Sequence, residues 1–90
     1  MSEDRETKTK RLRMRSMRRG IKEMDVILSA YAKAQLAQLS DDDLALYDRL
    51  LSENDHDIFG WITGQSEAPE TYAGLLKTIT GMAEGLTRAG

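Results

Sequence analysis

Apolar side chains in this 90-residue chain recur every three or four positions and nowhere alternate over the length of a strand. A period near 3.6 fits helices that bury one stripe, and the missing period of two leaves a sheet without support. The expected fold class is therefore all-α. Ninety residues make a single small domain with a modest core. The spacing predicts a compact five-helix bundle with short connections, spanning 7–88, after a disordered polar tail over 1–6.

The first helix is predicted over 7–19, where Lys, Arg, Met and Leu dominate. Lys8, Arg11, Arg15 and Arg18 form a basic ridge on it, and Met14, Met17 and Ile21 an apolar face beside that ridge. Gly20 then interrupts. A glycine inside a helix costs about 1 kcal/mol relative to alanine, so Gly20 marks a junction between helices. The second helix runs over 21–37 with the stripe Met24, Ile27, Leu28 and Tyr31.

The third helix carries the clearest start signal. Ser40 is the N-cap, and Asp41, Asp42 and Asp43 face the positive end of the helix dipole. Leu39 and Leu44 occupy the positions of a hydrophobic staple, and the helix ends near Glu53. Asn54 or Asp55 caps a short fourth helix, Ile58 to Ile62, apolar on nearly every side, with Gly64 as its C-cap. Pro69 suits the first turn of the fifth helix, capped by Ser66 or a neighbour. Tyr72, Leu75, Leu76, Ile79, Met82 and Leu86 are its core face, and Gly74, Thr78, Gly81 and Gly85 make a small-residue stripe. Its glycine-rich last turns are expected to fray.

The chain has no cysteine, which removes disulfides, thiolate metal sites and cysteine nucleophiles. His56, the one histidine, lies among carboxylates in a helix-start segment and reads as a solvated residue near the cap. No second histidine exists to complete a metal site, and the three consecutive aspartates are explained by capping. No nucleophile elbow or phosphate-binding glycine loop occurs. No enzyme, no catalytic residue and no metal are expected. Phe59 and Trp61 are read as core packing first and as a binding anchor second.

Charge is divided unevenly. Residues 1–22 hold nine Lys/Arg against three Asp/Glu, a net of +6, and residues 23–90 hold four against twelve, a net of −8. An acidic body repels phosphate, so the basic ridge suits a protein partner better than nucleic acid. No apolar run approaches the roughly 20 residues that span a bilayer. No secretory h-region is seen, and Glu3, Asp4 and Glu6 argue against a transit peptide. A cytoplasmic protein without membrane insertion is expected.

Arg19-Gly20-Ile21-Lys22-Glu23-Met24-Asp25 resembles the RGxxE-(M/L)-D motif of the SdhE family, the flavinylation or assembly factors of succinate dehydrogenase. "LSDDDLALYDRLL" is similar to that family's third helix, and "ENDHDIFGWITG" to its segment with F-x-W. The resemblance covers about residues 11–79. It implies a small all-α assembly factor that binds the flavoprotein subunit of succinate dehydrogenase, and in some bacteria that of fumarate reductase. The factor promotes covalent attachment of FAD, a cofactor that belongs to the client and is not stably bound by the factor. The implied contact surface is centred on Arg19, Gly20 and Glu23 and flanked by Arg18, Met24 and Asp25, with Arg15, Asp55, Phe59 and Trp61 as secondary contacts. Gly20 admits close approach of a partner's backbone. Glu23 is open between facing the partner and holding Arg19. A free monomer is expected. Two other readings, a small nucleic-acid-associated regulator and an antitoxin-like interaction module, would use the basic first helix.

Overall fold

The computed structural model describes residues 3–89, with side chains described through residue 83. Five helices are present: α1 (Arg5–Arg15), α2 (Lys22–Gln35), α3 (Asp41–Leu51), α4 (Asp55–Thr63) and α5 (Glu70–Ala89). A 3-10 turn, Leu36–Gln38, follows α2 directly, and no strand occurs among the described residues. The all-α expectation holds.

One core joins all five helices. It is built on Leu12 of α1, Met24, Leu28 and Tyr31 of α2, Leu44, Tyr47, Leu50 and Leu51 of α3, Ile58 of α4, and Tyr72, Leu76 and Ile79 of α5. The stripes of α2, α3 and α5 are those the spacing predicts, because an amphipathic face has one way to leave water. Tyr31 and Tyr47 meet with ring centroids 5.2 Å apart. Burial pushes the Tyr47 hydroxyl up to about 12.

The caps of α3 and α4 also match. Ser40 accepts the Asp43 N–H at 3.1 Å. Asn54 accepts the His56 N–H at 2.8 Å, which leaves His56 exposed beside the cap. Gly64 ends α4 at φ 80, a left-handed conformation that glycine adopts without steric cost. Helix α5 begins at Glu70, just after Pro69, and continues to Ala89. Leu86 and Gly85 lie outside the described side chains.

The N-terminal third departs from expectation. Helix α1 begins at Arg5 because Asp4 caps it, accepting the Thr7 N–H at 2.7 Å. Arg5 reaches across to the Leu39 carbonyl and to Asp41. Residues 3–6 are therefore built into the fold, inside the span expected to be a disordered tail; residues 1–2 lie outside the described residues. Helix α1 also ends at Arg15, four residues early. Ser16 turns inward and is fully buried; its hydroxyl donates to the Leu12 carbonyl at 2.7 Å and lies 2.6 Å from the Tyr47 hydroxyl. Met14 and Met17, read as part of an apolar face beside the ridge, are 70% and 50% exposed. Leu12 and Ser16, one turn apart, take the inward positions instead.

Candidate functional site

Residues 16–21 connect α1 to α2 and carry the Arg19-Gly20 pair. The junction is six residues wide rather than a break at Gly20. The residue in the left-handed region is Arg18, at φ 55. A residue with a side chain pays roughly 1–2 kcal/mol to sit there, so its neighbours must hold it.

Asp55 supplies that hold. It is the first residue of α4, and with Asn54 serving as cap its carboxylate is left to reach the loop. Oδ1 accepts from Arg19 Nε at 2.9 Å and Nη2 at 2.6 Å. Oδ2 accepts from the Gly20 backbone N–H at 2.7 Å. Two further guanidinium donors go to the carbonyls of Arg15 at 2.8 Å and Leu51 at 3.0 Å. Arg19 thus ties the end of α1, the end of α3 and the start of α4 to one point. The two side chains are only 11% and 15% exposed, so their attraction is weakly screened. A Cβ on Gly20 would lie 3.3 Å from Asp55 Oδ2. Close approach at Gly20 is made by Asp55 from within the chain.

The residues around this knot divide into two groups. Arg18, Gly20 and Glu23 are exposed, and neither the Arg18 nor the Glu23 side chain has a hydrogen bond or ion pair among the described residues. Asp55 occupies the role that Glu23 was open to fill, so Glu23 does not hold Arg19. Met24 is fully buried and belongs to the core, not to a contact surface, because it sits one helical turn ahead of Leu28 on the inward stripe of α2. Asp25 is half-buried and accepts from Ser29 Oγ at 3.3 Å. Phe59 and Trp61 are partly buried against the core, Trp61 stacking on Tyr72 at 6.0 Å.

A second aspartate consumes the basic ridge. Asp48 of α3 accepts from Arg11 at 3.1 and 2.8 Å and from Arg15 at 2.5 Å. The Arg11 guanidinium holds the Asp48 carboxyl below the usual carboxylate range, with Arg15 adding to it. Arg11 also grips Glu3, and Arg15 Nη2 reaches Ser52 Oγ at 3.0 Å. Arg18 lies outside α1 altogether. Two of the four ridge cations are therefore neutralised internally. Sequence reasoning missed Asp48 and Ser16 and did not pair Asp55 with Arg19. These partners lie 31 to 37 residues apart, and no local spacing signals them.

Among the described residues, no group of three or more His, Cys, Asp or Glu is placed to hold a metal, and no helix is long and apolar enough to cross a membrane. Fold and site define a class: a small helical protein that pins the α1–α2 loop and displays Arg18 from it and Glu23 from the first turn of α2. The chain belongs to the family described as flavinator of succinate dehydrogenase (Sdh5), whose model matches residues 10–83. It is 46% identical over 72 residues to succinate dehydrogenase assembly factor 2, mitochondrial, of Mycosarcoma maydis, covering 80% of this chain and 30% of that protein. The protein of the same name from Yarrowia lipolytica is 45% identical over 74 residues, covering 79% of this chain and 51% of that protein. The Danio rerio protein is 42% identical over 79 residues, covering 81% and 50%. The chain thus spans about half the length of these relatives, or less. Their names place them in mitochondria, which overturns the cytoplasmic expectation. That expectation rested on the acidic first residues and on the lack of a secretory h-region or a bilayer-length apolar run. The regulator and antitoxin-like readings gain no support from these matches.

Proposed function

We propose that this chain is an assembly factor, not an enzyme, that binds the flavoprotein subunit of succinate dehydrogenase and promotes covalent attachment of FAD to it. The observation that carries the reading is the Arg19–Asp55–Gly20 knot beneath an exposed Arg18 and Glu23, in a chain of the flavinator family. A knot that joins three elements keeps the loop in one shape, so little ordering entropy is lost when a partner docks. Arg18 offers a guanidinium fork for a carboxylate or phosphate, and Glu23 accepts donors. The flavin is the client's, and the attachment chemistry stays in the client, held in a competent conformation. In this reading the free chain is a monomer, and the same face would serve a fumarate reductase flavoprotein.

The test is reconstitution. Unflavinylated flavoprotein subunit is incubated with FAD, with and without this chain, and covalent flavin is read as fluorescence of the denatured subunit. A several-fold rise with the chain is expected. Equal incorporation in both samples contradicts the reading. Repeating the assay with the fumarate reductase subunit decides the second client.

A further inference from the structure

Beside the motif lies a groove of about 480 Å³ between the end of α1 and the adjoining flank of α2, lined by Arg13, Met17, Asp25, Ser29, Ala32 and Lys33. Met17 is half exposed there, although it is large and apolar. Across the floor, Ser29 Oγ donates to the Ser16 carbonyl at 3.2 Å. Arg13 and Lys33 precede and follow that bond on their respective helices, while Met17 and Asp25 lie on its other side. Four residues of α2 separate Ser29 from each of Asp25 and Lys33, roughly 6 Å either way.

Two cations with no ion pair among the described residues line the groove together. Arg5, Arg11, Arg15 and Arg19 each have a carboxylate partner within the chain. Arg13 and Lys33 are exposed and have none among the described residues. Asp25, the one carboxylate lining the groove, is engaged with Ser29 at the opposite end. An apolar floor with two free cations at one end is complementary to an apolar anchor followed by carboxylates.

We infer that this groove is a second docking site, and that its occupant is a segment of the flavoprotein client carrying an apolar anchor and adjacent Asp or Glu residues. The anchor would cover Met17, and the carboxylates would meet Arg13 and Lys33. The inference rests on the assembly-factor reading and adds a contact outside the RGxxE motif.

The full chain is tested against the unflavinylated subunit by titration binding and by photo-crosslinking from a benzoylphenylalanine at position 17. Arg13→Glu with Lys33→Glu should weaken binding at least tenfold at low salt, with the helical circular dichroism unchanged. Crosslinks from position 17 should map to one acidic, apolar-containing peptide of the subunit. A milder pair, Arg13→Gln with Lys33→Gln, should weaken binding less and flatten its salt dependence. If the Glu pair binds as the parent does, while Glu23→Arg loses binding, the groove is not a docking site and the assembly-factor reading stands. If the parent chain does not bind the subunit at all, both fall. Self-association of the parent that the Glu pair abolishes would assign the groove to a second copy and overturn the inference.

Discussion

Asp48 and Asp55 each gather donors from the N-terminal third, but they do so in different surroundings. Asp48 holds Arg11 and Arg15 with side chains 26%, 39% and 33% exposed. Asp55 holds Arg19 with both side chains at or below 15%. Near water, the attraction is offset by hydration and by side-chain entropy, and exposed pairs contribute about 0–1 kcal/mol. Away from water, removing one partner strands a charge, and the cost rises to about 3–5 kcal/mol. The two clamps look alike as lists of bonds; burial separates them. The Asp48 clamp fastens α1 to α3, whereas the Asp55 clamp shapes the loop that displays the motif.

The largest expected effect comes from Asp55→Ala. It leaves the Arg19 guanidinium and the Gly20 N–H without their main acceptor, and about 3 kcal/mol should be lost in urea unfolding. A loss below about 1 kcal/mol would erase the contrast between the clamps. Gly20→Ala comes next. Its Cβ would press on Asp55 Oδ2 at 3.3 Å, and the carboxylate is already fixed by Arg19. About 1–2 kcal/mol should be lost, and the Gly20 amide should exchange faster with solvent deuterium. An unchanged exchange rate would mean that Asp55 gives way easily.

Asp48→Ala should cost no more than about 1 kcal/mol, and the cost should shrink in 1 M salt. A large, salt-independent cost would place Asp48 with Asp55. The same clamp carries a pH signature. Arg11 and Arg15 depress the Asp48 carboxyl below its ordinary 3.8, so its contribution is present above about pH 4. It is lost as pH falls through the depressed folded value, because the unfolded chain takes up the proton first. Stability measured from pH 5 to pH 2 should fall less steeply in Asp48→Ala than in the parent chain. The smallest stability effect is expected for Arg18→Gly. Relief of the left-handed backbone is offset by glycine's greater unfolded freedom, leaving a change within roughly 0.5 kcal/mol. Flavinylation should nevertheless fall, because the exposed fork is gone.

Periodicity in the sequence was enough for α2, α3 and α5, since each buries a regular stripe and α3 begins with a side-chain cap. The F-x-W segment was legible as partly buried core. The end of α1 was not. Ser16 looks like a surface residue by type, and only its bonds to Leu12 and Tyr47 explain why it faces inward. The motif itself stood out through Gly20, yet its inner and outer members could not be separated. Met24 and Glu23 are adjacent in sequence, and one is core while the other faces solvent. Asp55 was named as a neighbour of the site, but its pairing with Arg19 depends on how α4 lies against the loop, which no local pattern encodes.

Glu23 offers the most direct test of the claim that this loop and the adjoining first turn of α2 work on a partner. Its carboxylate makes no hydrogen bond or ion pair among the described residues, so Glu23→Ala should leave the unfolding curve within about 0.5 kcal/mol of the parent. Covalent FAD incorporation into the succinate dehydrogenase flavoprotein subunit should then be measured with the parent chain and with Glu23→Ala. A drop of tenfold or more at unchanged stability is the result the account predicts. Full incorporation with Glu23→Ala would contradict it, because the loop would then be ordered for the fold alone.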